Sequence, residues 1–283
     1  MSGYDAIRES AARLRLSRGL IRATGEDRAR LLHAMSTNQV QALEPGQFAH
    51  TFFLNAQGRI LADAWVVCFA DFLLLDTEPE TKDKLLAHLD KFIIADDVSL
   101  EDVTASLAVI AVEGPAAQAP PDAFPISATG GTGFRLYTET PEAAWQLLEG
   151  LPEARAEEAD LVRLENGHPR YGVDILETHL VQETGQMNSV SFTKGCYLGQ
   201  EIVERVRSRG AVHKHLKPLR VAGTAIPAPL SELQSGDTKA GVLTSAAYSP
   251  HQGGIVALGY VSTLFEKGDR SMNLADGTVV TLA

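Results

Sequence analysis

The chain has 283 residues, 45% of them hydrophobic and 22% charged, and a formal net charge of −11. This length predicts about two domains with a core that needs no disulfide or metal. The acidic balance disfavours non-specific nucleic-acid binding by the chain as a whole. Two cysteines do not make a disulfide framework, and no apolar run is long enough to span a bilayer. We therefore expect a cytoplasmic protein with no membrane partner.

Short helices and strands alternate over the first half of the chain. In chain order we predict a helix over 4–14, a strand over 16–24, a helix over 27–35, strands over 50–54 and 59–69, a helix over 79–92, strands over 98–103, 107–112 and 134–137, and a helix over 141–148. The connection Asn55-Ala56-Gln57-Gly58 between two of these strands is typical of a hairpin. The order is not a repeated strand–helix unit, and it favours an α+β fold with antiparallel sheets.

The sequence pattern changes after Leu216, where short strand-like runs alternate with Gly and Pro. The final segment carries the turn Asp276-Gly277 between two such runs. This pattern predicts a small all-β barrel or sandwich. We therefore place a first region over 1–215, which can contain two subdomains, and a C-terminal β-barrel over 216–283.

Cys196 stands in the run Lys194-Gly195-Cys196-Tyr197-Leu198-Gly199-Gln200-Glu201. The preceding residues are predicted to be extended, and 198–206 is predicted to be a helix, so Cys196 falls in the turn between them. The helix dipole, Lys194 and the arginines from Arg205 onward would favour a thiolate. Nucleophile, redox group and metal ligand all remain open as its chemistry. One thiolate without companion cysteines does not hold an iron–sulfur cluster, so we expect no stably bound metal or cluster.

Two further stretches are candidates for ligand binding. Residues 163–174 combine Glu165 and Tyr171 with glycines, a proline and an aspartate. The carboxylate would suit two N–H donors of a pterin-like edge and the ring would stack on it, although Glu165 in a surface ion pair at a helix end is the alternative. Residues 194–220 contain seven Lys or Arg and two acidic residues. That excess favours an anionic partner such as RNA, and a solvated helix face is the alternative.

The run 194–201 resembles the signature of the YgfZ family of folate-binding proteins, which are relatives of the glycine-cleavage T-protein, an aminomethyltransferase. The stretch Arg163 to Asp174 is similar to a second segment of that family. Residues 25–38, the hairpin 55–63 and the run 255–261 resemble the family's N-terminal helix, central hairpin and barrel strand. Together these matches cover most of the chain, and the run 194–201 is the most specific of them.

The resemblance implies an α+β aminomethyltransferase-like folate-binding body followed by a C-terminal β-barrel. It implies tetrahydrofolate as cofactor, a role in assembly or repair of iron–sulfur enzymes, including tRNA-modifying ones, and client or assembly proteins as partners. On this resemblance Cys196, Lys194 and Asp63 are the catalytic candidates. The folate-binding candidates are Glu165, Tyr171, Arg205 and Gln200, and the folate tail would suit the basic segment 194–220.

One difference from the T-protein concerns the hairpin, where that family carries paired aspartates and this chain has Ala62-Asp63. The missing acid weakens the case for aminomethyl transfer, but Asp63 remains. A folate-dependent aminomethyl or C1 transferase, or a demethylase, is therefore kept as the alternative function. Whether the chain catalyses any reaction is left open.

Overall fold

A computed structural model describes residues 1–210, 212–266 and 271–283. The α-helices in these ranges are α1 (Gly3–Glu9), α2 (Arg28–Met35), α3 (Lys82–Asp90), α4 (Pro141–Leu147), α5 (Ala156–Glu165) and α6 (Gln200–Arg209). Single 3₁₀ turns lie at Pro79–Thr81, Val181–Thr184, Met187–Ser189 and Thr263–Phe265. Within the described ranges, none of the helices has the length and apolar character that crossing a membrane requires.

The strands form two open antiparallel sheets and one closed barrel. In chain order they are β1 (Ala12–Leu16), β2 (Gly19–Thr24), β3 (Phe48–Leu54), β4 (Ile60–Cys68), β5 (Leu73–Thr77), β6 (Ser99–Asp102), β7 (Ala108–Glu113), β8 (Gly133–Thr138), β9 (Lys214–Val221), β10 (Glu232–Ser235), β11 (Thr238–Ser249), β12 (Gly254–Ser262), β13 (Met272–Asn273) and β14 (Val279–Leu282). A five-stranded sheet has the order β3-β4-β5-β2-β6, and a three-stranded sheet has the order β1-β7-β8.

The five-stranded sheet is buried on both faces because its side chains alternate between two cores. Ala62, Ala64 and Val66 of β4 face the core that includes α2 and α3 residues. On the opposite face, Val67 and Leu74 pack with residues of the three-stranded sheet. The second face also carries the polar residues of β3 and β4, and it is the face on which the candidate site is built.

The closed barrel has the strand order β10-β11-β12-β9-β14-β13, and an apolar core fills it. This architecture confirms the predicted α+β body followed by a C-terminal β-barrel. The first barrel strand begins at Lys214. The division of the chain into domains at 215/216 stays a prediction.

Asp174 fastens the barrel to the body. Its carboxylate, which is buried, accepts hydrogen bonds from Thr244 Oγ1 at 2.6 Å and Ser245 Oγ at 2.5 Å, both on β11. Arg163 of α5 donates to the same carboxylate at 2.7 Å. A buried charge is stable only when its partners are complete, so this cluster fixes how the barrel seats on α5.

The predicted helix over 4–14 is wrong, because α1 ends at Glu9 and Ala12–Leu16 forms β1. Ala12 and Leu14 are buried while the side chains between them are not, which is the alternation of a strand. The strand pairs with β7, and that pairing overrides the helical spacing of the apolar residues. The predicted strand over 16–24 is likewise divided, and β2 begins only at Gly19.

Candidate functional site

A cavity of about 590 Å³ lies where the two sheets meet α5 and the segment 168–171, and we call it the central cavity. Strands of both sheets contribute to its walls. Its polar lining residues include Arg15, Arg18, His50, Asp63, Glu78, Ser127, Arg135, Asp160, Arg163, His168, Arg170, Asn188 and Ser189. The volume is within the range of about 300–1,000 Å³ that small-molecule sites occupy.

Asp63 reaches the cavity because of its position on β4. Ala62 is fully buried in the core on the other face of the sheet, and alternation turns Asp63 to the cavity side. An acid at position 62 would point into the apolar core. The single acid of Ala62-Asp63 is therefore the one that this backbone presents to the cavity.

His50 and Ser189 complete a polar chain with Asp63. His50 Nε2 lies 3.3 Å from Asp63 Oδ2, and His50 Nδ1 lies 2.5 Å from Ser189 Oγ. The His50 ring packs against Trp65, with ring centroids 4.9 Å apart. All four residues line the cavity, so the site holds an acid, an imidazole and an indole on one wall.

A buried charge cluster forms another wall. Arg18 Nε donates to Asp76 Oδ1 at 2.5 Å, and Arg135 donates to Asp76 Oδ2 at 2.6 Å. Burial opposes ionisation of Asp76, but the two guanidinium groups outweigh it and hold the pKa of the Asp76 carboxyl below its ordinary value. Arg18 also pairs with Glu78, whose second oxygen accepts from Arg170 Nε at 3.0 Å. The charges in this cluster are thus largely neutralised by one another.

Arg135 has a buried donor without a partner. Its Nε is buried and has no hydrogen-bond partner among the described residues, while the residue lines the central cavity. An unpaired buried donor costs free energy, and such groups mark functional sites or unseen partners.

Tyr171 presents its ring rather than its hydroxyl to the cavity. The hydroxyl donates to the carbonyl oxygens of Ile60 and Leu61, at 3.0 and 2.7 Å. Burial raises the pKa of Tyr171, so the phenol is neutral at ordinary pH. The ring is therefore fixed beside the hairpin, where it packs with Phe52 and Ile60 and forms part of the cavity wall.

The loop 127–131 closes the cavity and is held by Glu113. The Glu113 carboxylate accepts from Ser127 Oγ at 2.7 Å, from the amide of Ala128 at 2.7 Å and from Thr129 Oγ1 at 2.8 Å. His168 packs against this loop, because a Cβ added to Gly130 would lie 2.7 Å from its side chain. Burial first, and then the nearby His50 and Arg163, lower the pKa of His168 to about 4. Its imidazole is neutral at pH 7.

The structure places Glu165 elsewhere, between α1 and the barrel. Its fully buried carboxylate accepts from Tyr4 Oη at 2.6 Å and from Ser249 Oγ at 2.5 Å, and it pairs with Arg8. It is not among the residues that line the central cavity. These contacts give Glu165 a role in joining the elements, and the interpretation as a ring-binding acid has no geometric support here.

Lys194 is also turned inward. Its ammonium donates to the carbonyl oxygens of Ser36 at 2.5 Å and Asn38 at 3.0 Å, and also to that of His33. These carbonyls follow the C-terminal end of α2, where a cation is favourable. Burial lowers the pKa of Lys194 to about 8. The structure therefore makes Lys194 an anchor of the loop, and its charge is committed to backbone oxygens rather than to the thiol.

Cys196, by contrast, is exposed and free, whereas Cys68 is free and buried. Among the described residues, none makes a hydrogen bond or ion pair with the Cys196 thiol. The loop that carries it is held from both sides, because Leu198 N donates to Ala34 O at 3.1 Å and Gly199 packs on Asn55. We call residues 194–199 the cysteine loop.

Gln200 and Arg205 lie on α6, which follows the cysteine loop. Arg205 is exposed, and neither residue lines the central cavity. Of the seven residues named as candidates, the structure thus brings Asp63 and Tyr171 together at the cavity. Lys194, Cys196, Gln200 and Arg205 lie in a separate region formed by the cysteine loop and α6, in which Lys194 is buried. Glu165 lies in a third place, between α1 and the barrel.

Sequence reasoning missed the residues that shape most of the cavity, namely His50, Ser189, Arg135 and His168. They come from four distant segments, so no local spacing connects them. One signal was available for His50, because pairing the two strands of the predicted hairpin brings it onto the face of Asp63.

Over the part of the chain that the structure describes, no group of three or more His, Cys, Asp or Glu side chains is arranged to hold a metal ion. The expectation of no stably bound metal or cluster stays a prediction.

Comparison with known proteins connects this geometry to a family. Residues 4–120 match the family described as the GCVT N-terminal domain. The chain is 30% identical over 251 residues to the mitochondrial iron–sulfur cluster assembly factor IBA57 of Mus musculus, a match that covers 77% of this chain and 68% of that protein. The chain belongs to the GCVT-domain family. This confirms the predicted relation to YgfZ-like proteins and to aminomethyltransferases.

Other relatives include both iron–sulfur cluster assembly factors and aminomethyltransferases. A mitochondrial IBA57 homolog of Mycosarcoma maydis is 30% identical over 243 residues, which is 76% of this chain and 59% of that protein. An aminomethyltransferase of Nostoc sp. is 27% identical, over 93% of this chain and 80% of that protein. The chain thus spans less than two thirds of the length of some curated relatives. Its match to a chloroplastic protein of Arabidopsis thaliana, for example, covers 63% of that protein.

A solved structure shares the fold. The aminomethyltransferase T of the glycine cleavage system from Bartonella henselae superposes with a TM-score of 0.87, covering 99% of this chain and 87% of that one. At 18% identity the likeness shows the architecture alone. It confirms the expected aminomethyltransferase-like body and barrel.

Proposed function

We propose that this protein is a tetrahydrofolate-binding factor that acts in the cytoplasm in the assembly or repair of iron–sulfur enzymes, including tRNA-modifying ones. The observation that carries the proposal is the central cavity, where Asp63 and the Tyr171 ring stand together. Relatives named as iron–sulfur cluster assembly factors support the biological role. The aminomethyltransferase relatives and the shared fold support a folate ligand.

The lining residues fit a folate. A pterin is a flat ring with N–H groups on its edge, and the cavity wall includes the aromatic side chain of Tyr171 and an acceptor at Asp63. No described residue donates a hydrogen bond to Asp63 Oδ1, which leaves one carboxylate oxygen for a ligand. Arg135, whose buried Nε also lacks a partner among the described residues, lines the same cavity and adds a guanidinium to its wall. Asp63, Tyr171 and Arg135 are therefore the residues that would hold the ring.

Cys196 would serve a different task at the surface. The thiol is exposed, so a client or assembly protein can reach it directly. A single cysteine thiolate provides one ligand, and clusters take about four. We infer that Cys196 helps to pass, repair or protect a cluster that the partner protein holds, and that it does not store one.

A folate-dependent C1 transferase is the second candidate, and the position of Asp63 favours it. Since the backbone turns Ala62 into the core, the lack of a second acid leaves the cavity unchanged. A bound folate would supply the nitrogen atoms that carry a one-carbon unit. Asp63 would be the protein group that hydrogen-bonds to these nitrogen atoms or accepts a proton from them.

The basic segment 194–220 supports RNA binding less well than its charge suggests. Lys194 is withdrawn into the loop, and Arg207 pairs with Glu204 at 3.4 Å and lies over the Phe192 ring. The arginines of α6 remain exposed. RNA binding through them would weaken steeply with added salt, and no tRNA binding at low salt would remove this partner.

Two experiments test the proposal. Calorimetric titration with tetrahydrofolate is expected to show one saturable site, weakened at least tenfold by Tyr171→Leu. Cells lacking the gene are expected to lose activity of iron–sulfur enzymes and to be restored by the wild-type copy but not by Cys196→Ala. An absence of saturable binding contradicts the folate ligand, and full restoration by Cys196→Ala contradicts the role of the thiol. Turnover of candidate amines to methylene-tetrahydrofolate would instead favour the transferase.

A further inference from the structure

The central cavity contains a hydrogen-bonded chain that neither the family relation nor the folate proposal assigns. We propose that His50 is a positioning residue, which holds the Asp63 carboxylate toward the cavity while Ser189 fixes the proton on the imidazole. The chain Ser189–His50–Asp63 would then make this wall a site for a ligand that donates an N–H. The inference rests on the central cavity being the folate site proposed above.

The strand register brings the first two residues together. His50 pairs with Trp65 across the hairpin, and Phe52 pairs with Asp63, so His50 is a diagonal neighbour of Asp63 on one face. The side chains of His50 and Asp63 are 17% and 14% exposed. The His50 ring is packed between Trp65, at 4.9 Å, and Phe52, at 5.5 Å. This packing restricts rotation of the imidazole about its side-chain bonds.

The polarity of the chain follows from what each atom can do. An ionised carboxylate only accepts hydrogen bonds, so a His50 ring with a single proton must carry that proton on Nε2 to bond Asp63. Nδ1 is then an acceptor, and the Ser189 hydroxyl, 2.5 Å away, must donate to it. Ser189 is itself fixed, because it is 2% exposed and its carbonyl oxygen accepts from Thr37 Oγ1 at 2.6 Å.

Asp63 is held from a second side. Thr77 Oγ1 donates to the Asp63 carbonyl oxygen at 2.5 Å, which fixes the backbone from β5. His50 engages Oδ2, and among the described residues no donor reaches Oδ1. One oxygen is thus held by the protein, and the other is left as a hydrogen-bond acceptor on a residue that lines the cavity. A ligand that offers only acceptors at this point would be disfavoured.

The test compares variants that keep or remove the two hydrogen bonds of His50. Gln offers an NH2 donor group and a carbonyl acceptor, so His50→Gln can replace both bonds, whereas His50→Leu retains bulk and neither bond. We expect tetrahydrofolate affinity to fall at least tenfold in His50→Leu and to stay within about threefold of wild type in His50→Gln. Equal affinity in His50→Leu and wild type, at matched melting temperatures, overturns the inference.

A spectroscopic experiment tests the Ser189–His50–Asp63 hydrogen bonds without any ligand. Nitrogen-15 NMR of the imidazole is expected to show the proton of His50 on Nε2, and Ser189→Ala is expected to raise the share of the Nδ1 tautomer, because the Asp63 bond alone then favours Nε2. Ser191→Ala is the matched control, because Ser191 Oγ contacts only Thr193 Oγ1, at 3.4 Å, among the described residues. A proton on Nδ1 in the wild type, or an unchanged tautomer in Ser189→Ala, overturns the inference.

The two failures are distinguishable. If wild-type protein does not bind tetrahydrofolate, the folate proposal fails, and the tautomer of His50 still decides the positioning role. If tetrahydrofolate binds and His50→Leu has no effect, the folate proposal stands and the inference fails.

Discussion

The central cavity and the cysteine loop use charge in opposite ways. In the cavity, residues from distant segments meet, and buried ions such as Asp76 are compensated by neighbouring arginines. In the cysteine loop, neighbours in sequence separate, because Lys194 turns inward and Cys196 turns outward. The comparison teaches that a short, specific run of residues need not be one chemical site. Here it consists of an internal anchor that presents an external thiol.

The largest effect should come from breaking the anchor. Lys194→Met leaves three backbone oxygens without their buried donor, so we expect the free energy of unfolding to fall by about 3 kcal/mol. Cys196→Ser changes only an exposed side chain and is expected to stay within about 0.5 kcal/mol of wild type. Urea unfolding of the two variants measures the contrast. Similar losses in both would show that the loop is not divided into an anchor and a free thiol.

A second variant tests how the hairpin supports the cysteine loop. Gly58 has a φ of +71°, and a Cβ there would lie 2.7 Å from Ile202 of α6. Gly58→Ala is expected to cost about 1–3 kcal/mol from strain and overpacking. Adding Ile202→Ala should relieve the overpacking part, so a double-mutant cycle measures their coupling. Strictly additive losses would mean that the hairpin and α6 do not press on each other here.

The smallest expected effect is a pH dependence of stability that arises from His168, which lines the central cavity. Burial lowers the pKa of His168 to about 4, below its ordinary value, so the unfolded chain binds more protons between about pH 6.5 and 4. Stability should therefore decrease as pH falls through that range, by about 1–2 kcal/mol from this residue between pH 7 and 5. His168→Gln should reduce the slope in urea unfolding, while the exposed His251→Gln should not. An unchanged slope in His168→Gln would contradict the burial argument.

Sequence patterns predicted the elements whose signals are local. The hairpin of β3 and β4 follows from two alternating strands around Asn55-Ala56-Gln57-Gly58, and the barrel follows from short strands with turn residues. The boundary of α1 was missed because Ala12 and Leu14 fit both a helical and a strand period. Pairing with β7 decides between the two, and no local pattern contains that partner.

The same distinction explains the site. Asp63 and Tyr171 could be named because each lies in a recognisable run, and the cavity contains both. Glu165 and Lys194 also lie in recognisable runs, but both are buried by contacts between distant elements. Glu165 accepts a hydrogen bond from Ser249, and Lys194 donates to the end of α2. These contacts depend on tertiary packing, which the local sequence does not contain. Arg135 could not be found from its neighbours, since its role depends on Asp76 in another sheet.

The most direct test of the separation between cavity and thiol is tetrahydrofolate affinity in two single variants. Calorimetry on wild type, Asp63→Leu and Cys196→Ser, each with a confirmed melting temperature, compares the two regions in one measurement. We expect an affinity at least tenfold weaker in Asp63→Leu and unchanged in Cys196→Ser. Weakened binding in Cys196→Ser with normal binding in Asp63→Leu would contradict it.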